Sequence, residues 1–70
     1  MFKLMPRGTP HHEVGLLLEL GGGLVLEHDD GGIWRLDAPW RVRRLLGRRV
    51  RITGERDGFD LLAVLSIEAA

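Results

Sequence analysis

Glycine recurs at short intervals along this chain, and that spacing limits what the chain can build. Ten glycines in 70 residues cut the apolar positions into runs of strand length. Val14 to Leu20 is one such run, and it stops at Gly21-Gly22-Gly23. Leu24 to His28 follows and is closed by Asp29-Asp30-Gly31-Gly32. Gly-Gly and Asp-Gly steps supply the positive φ angles that tight hairpins need. Ile33 to Asp37 is the return strand, with Trp34 and Leu36 on one face and Ile33, Arg35 and Asp37 on the other. Together the three runs predict a meander.

At Ala38-Pro39 the pattern changes. Proline fits the first turn of a helix, and Asp37 ahead of it suits the positive end. Val42, Leu45 and Leu46 share one helical face, Arg41 and Arg44 the opposite one, and Gly47 is the expected left-handed stop. The spacing predicts a helix of about two turns, too short to persist without packing on a sheet. From Arg48 to Glu55 strand alternation resumes, with Val50, Ile52 and Gly54 inward. Phe59 to Ile67 reads as a last strand whose apolar residues lie on both faces, so it is either covered on both sides or interrupted by a bulge.

Three strands, a helix and two strands predict a mainly β fold: a five-stranded OB-like barrel with one short helix between strands 3 and 4. An SH3-like barrel would place its helical turn between its last two strands instead. An irregular N-terminal arm is expected over residues 1–13, ahead of a single domain over residues 14–68. The segments Trp34-Arg35-Leu36-Asp37, Leu46-Gly47-Arg48-Arg49-Val50-Arg51-Ile52-Thr53-Gly54 and Phe59-Asp60-Leu61-Leu62-x-Val64 look like the framework of small bacterial OB-like domains. Over residues 14–68 the chain resembles an uncharacterised bacterial domain-of-unknown-function family. That resemblance implies the fold and carries almost nothing about a ligand.

Composition narrows the chemistry. The chain has no Asn, Gln, Tyr or Cys, and its only neutral hydroxyls are Thr9, Thr53 and Ser66. Such an inventory is poor for nucleophilic catalysis and for reading adenine through side-chain amides. No apolar run approaches the roughly 18 residues that span a bilayer, and the N-terminus lacks a signal-peptide core. The expectation is a cytoplasmic, non-enzymatic protein with no membrane partner and no cofactor.

Each candidate site has a plainer explanation beside it. His11, His12 and His28 lie near Glu13 and Asp29, but adjacent histidines in an irregular arm seldom converge on a metal. Asp29-Asp30-Gly31-Gly32 lacks the ligand spacing of a calcium loop, whose twelfth position here is Trp40. A hairpin accounts for all four residues. Carboxylate pairs such as Asp57 with Asp60 have nothing in the sequence to separate their acidities. No metal or catalytic residue is assigned.

Net charge is zero, yet the charges are segregated: six arginines and no acid lie between Arg41 and Arg51, and six acids lie between Glu13 and Asp37. Arg41, Arg44, Arg48, Arg49 and Arg51, with Trp40 beside them, form a candidate phosphate-binding patch for single-stranded nucleic acid. Against it, the usual OB ligand face would carry Val25, Glu27, Ile33, Arg35 and Asp37, with no aromatic platform and with acids that repel phosphate. Alternatively the arginines pair with the acidic half. A protein surface is the other candidate, built from Val25, Ile33, Leu61 and Leu65 and from open strand edges. The reading is an interaction module with an unknown protein partner or a second copy; weak, nonspecific single-strand binding is the alternative.

Overall fold

The alternation and turn chemistry produce five strands and one short helix in the computed structural model, which describes residues 10–70. The strands are β1 (Pro10–Leu20), β2 (Gly23–Glu27), β3 (Ile33–Asp37), β4 (Arg49–Arg56) and β5 (Leu61–Ala69). A 3-10 helix, Trp40–Leu45, lies between β3 and β4. β1 and β2 meet in a two-residue turn at Gly21-Gly22, with φ of 60° and 83°. Two successive positive φ angles match the right-handed twist of the flanking strands. The β2–β3 loop is held by Gly31 N–H donating to the His28 carbonyl and Gly32 N–H donating to Asp30 Oδ1.

The sheet closes on itself in the order β1-β2-β3-β5-β4. Closure depends on β1, whose first part pairs antiparallel with β4 (Pro10 opposite Glu55 to Leu16 opposite Arg49) and whose second part pairs with β2. Ring closure explains one difference from the sequence reading. The strand begins at Pro10, not Val14, because β4 offers Thr53–Glu55 as ladder partners to residues 10–12. Four residues assigned to the arm therefore belong to the sheet; the rest of the arm lies outside the described residues.

Other boundaries shift for similar reasons. β5 starts at Leu61, two residues after the expected Phe59. Asp57 N–H donates to the Leu61 carbonyl and closes a wider loop, leaving Phe59 exposed at its tip. Within β5 the ladder skips a residue: Thr53 opposes Ser66 and Gly54 opposes Val64, so Leu65 is extra. This bulge resolves the two-faced apolar pattern. Leu62 faces inward before it, Ile67 sits opposite inward Ile52 after it, and Leu65 is extruded at 60% exposure.

The core is one cluster. Leu17, Leu26, Val50, Ile52 and Leu62 are completely buried, joined by Leu24, Leu36, Val42 and Leu45. Inward positions of β4 are those the alternation predicts, with Val50, Ile52 and Gly54 all buried. Gly54 is there because a Cβ would stand 2.6 Å from the Ala63 carbonyl oxygen and 2.9 Å from Leu62 Cγ.

Candidate interaction site

The helix has a different period from the one its sequence suggests. Its hydrogen bonds run from residue i to i−3: Val42 N–H to the Pro39 carbonyl and Leu46 N–H to the Arg43 carbonyl. Pro39 is extended and caps the helix from outside; it does not enter the first turn. With three residues per turn, side chains at i and i+3 eclipse. Three aligned pairs result. Val42 and Leu45 form the buried row. Trp40 and Arg43 form a second row, the guanidinium lying 4.1 Å from the ring centroid. Arg41 and Arg44 form the third, on the exposed side. Leu46, expected on the buried face, falls beyond the last turn and is half-buried. A 3-10 segment rises about 2.0 Å per residue against 1.5 Å for an α-helix, so these few residues span more of the gap between β3 and β4.

The arginine cluster divides. Arg49 donates from both Nη atoms to the two oxygens of Asp29, at 2.9 and 2.8 Å. Hydrogen bonding and charge from Arg49 hold the Asp29 carboxyl below its ordinary 3.8, and the same bonds raise the Arg49 guanidinium. Arg51 reaches Glu68 at 3.1 Å, and Arg43, which is not among the five candidate arginines, pairs with Glu19. Arg43 and Arg49 thus draw their partners from the acidic half of the chain. Arg41, Arg44 and Arg48 make no ion pair among the described residues.

Arg49 and the pair Arg41 and Arg44 line different depressions. Arg49 lines a depression with Leu16, Glu27, His28, Asp29 and Gly31, where acids outnumber it. Arg41 and Arg44 line another groove, with Val42 and Pro39 from the helix segment and Val64–Ile67 from β5. Trp40 is 76% exposed, but one indole face is occupied by Arg43.

The groove beside the helix has a volume of about 270 Å3. That is at the small end for an organic ligand, whose pockets run to roughly 300–1,000 Å3. One wall is a strand edge. Parallel pairing of β3 with β5 covers only Arg35–Asp37 against Leu61–Ala63. Past Ala63, β5 keeps β4 on one side, and among the described residues no strand pairs with the other. Ala70 N–H donates to the Arg49 carbonyl at 3.0 Å, which sets the phase of the antiparallel ladder. Main-chain groups alternate in direction along such a ladder, so those of Ile67 point away from β4.

The predicted protein surface is corrected in one place. Ile33 and Leu65 are exposed and Leu61 is half-buried, but Val25 is only 5% exposed. Val25 lies outside the core cluster, and its direct cross-strand neighbours are Leu18 and Arg35, both longer side chains on that face. His11 also sits elsewhere than expected, in β1, with its ring edge-on to Trp34 at 5.3 Å. Glu13 stands between two histidines, 3.5 Å from His11 and 3.3 Å from His28. The three make a chain around a carboxylate and not a shell around a point, and no metal-holding group of three converges among the described residues.

Open strand edges are expected from the sequence, but which strand carries one depends on the neighbours of β5. No residue pattern within Phe59 to Ile67 encodes that. Arg41 and Arg44 share a face in either helical geometry; the period of three brings them into eclipse.

Fold and surface together define a small, ring-closed β domain with a helix-lined groove. By its match over residues 14–70, the chain belongs to the DUF5818 family of proteins of unknown function. No curated protein and no solved structure matches it. Among the described residues no helix is long and apolar enough to cross a membrane.

Proposed function

We propose that the chain is a non-enzymatic, OB-like interaction module of the cytoplasm that binds another protein chain or a second copy of itself. The position of the 3-10 helix between β3 and β4, and the ring order β1-β2-β3-β5-β4, support the OB-like reading. The observation that carries the functional reading is the bulge in β5. It pushes Leu65 out into solvent beside a groove and a strand edge that has no partner among the described residues. Exposed apolar side chains next to an open edge are the usual elements of a chain-binding surface.

Single-strand binding is the second reading, and it rests on Arg41, Arg44 and Arg48 having no acidic partner among the described residues, and on exposed Trp40 beside them in sequence. Two of the five arginines it needs, Arg49 and Arg51, already hold acids. Losing them cuts the count of phosphate contacts on which affinity and salt dependence rest. Sedimentation velocity over a range of concentrations, repeated with Leu65→Asp, separates the self-associating form from a heterotypic one. A dimer abolished by Leu65→Asp identifies the second copy as partner, and a monomer in both cases removes the self-associating form. Submicromolar binding of a labelled oligothymidylate, lost with Arg44→Glu and insensitive to Leu65→Asp, would overturn the reading.

A further inference from the structure

We infer that the groove between the 3-10 helix and β5 accepts an extended acidic peptide, added as a strand beside β5 from Val64 to Ile67. This rests on the interaction-module reading and names its partner class. Three observations converge on that occupant. The β5 edge past Ala63 has no partner strand among the described residues, so the main-chain groups of Ile67 are available to an incoming backbone. The apolar lining (Val42, Val64, Leu65, Ile67) gives that strand a surface to lie on. The rim carries Arg41 and Arg44, which have no acidic partner among the described residues.

Spacing makes the charge match specific. Residues three apart on a 3-10 helix are eclipsed and about 6 Å apart along the axis. Side chains two apart on an extended strand point the same way at roughly 6.6 Å. A strand that ran along the helix would present alternate carboxylates at nearly the spacing of Arg41 and Arg44. A single-stranded nucleic acid satisfies the arginines but has no regular amide donors to meet the carbonyls of β5. Only one face of the Trp40 indole is left for it to stack on, the other being occupied by Arg43.

The test is a 1H–15N NMR titration of the full chain with a short peptide alternating glutamate and valine. The expected result is shifts concentrated at Val64–Ile67 and at Val42 and Arg44. N-methylating alternate amides of the peptide should weaken binding by about tenfold or more, because it removes the strand hydrogen bonds. Arg41→Glu with Arg44→Glu, both exposed, should weaken it by about tenfold and flatten its salt dependence. A peptide alternating lysine with valine should not bind. Unchanged affinity for the N-methylated peptide, or shifts confined to other faces, overturns the inference. So does a free-state contact between residues 1–9 and Val64–Ile67. If the peptide fails but the chain dimerises through β5, the peptide assignment falls and the interaction reading stands. Oligothymidylate shifting the same residues in place of the peptide overturns both.

Discussion

Gly54 shows how one residue fixes the local geometry of the sheet. It sits where the ladder changes register, and a methyl group there would press on the Ala63 carbonyl and Leu62. Gly54→Ala should destabilise the fold by about 1–3 kcal/mol, the usual cost of overpacking a tight site, read as a lower urea midpoint with an unchanged slope. Asp29 makes the opposite kind of contribution, exposed and dependent on pH. Its carboxyl is held below 3.8 in the fold by Arg49, so the ion pair's contribution is complete above that value. It is lost as the pH falls through the lower, folded value. Asp29→Asn should therefore lower stability slightly near neutral pH, with the difference from wild type vanishing in acid and shrinking in high salt. An unchanged gap at low pH would contradict that account.

At the scale of elements, the 3-10 helix does two separable jobs. Its buried row closes the core through Val42 and Leu45, while its exposed row presents Arg41 and Arg44 to the groove. Leu45→Ala should cost about 2–5 kcal/mol, a large part of the roughly 4–10 kcal/mol expected for a domain of this size. Trp40→Ala removes an exposed side chain whose contact with Arg43 is worth about 0.5–1 kcal/mol, so thermal unfolding should barely move. Equal losses from the two would refute this division. The existence and order of these elements were legible because turn chemistry and apolar alternation are local: Gly21-Gly22, Gly47 and the Val50–Ile52–Gly54 alternation each act over a few residues. The period of the helix was not. The seven residues between Pro39 and Gly47 fit either helical geometry, and the span they bridge is set by strands distant in sequence. The β5 bulge stood as one of two alternatives, and only pairing with β4 decides between them.

Across the whole molecule, ring closure and charge pairing decide what surface is left over. Closing the ring through β1 draws Pro10–Glu13 into the sheet, which places His11 against Trp34 and Glu13 between two histidines. The acidic half of the chain takes up Arg43 and Arg49, Glu68 takes Arg51, and the basic run is reduced to Arg41, Arg44 and Arg48. Half of the basic run is thus paired internally, and the groove keeps two arginines beside a β5 edge that has no partner strand among the described residues. The most direct measurement is an anisotropy competition on the full chain at low salt, with a labelled acidic peptide and an unlabelled oligothymidylate of equal charge. The account predicts that the peptide binds, is displaced by its own unlabelled form, and resists the oligonucleotide. Displacement by the oligonucleotide at equal or lower concentration would contradict it.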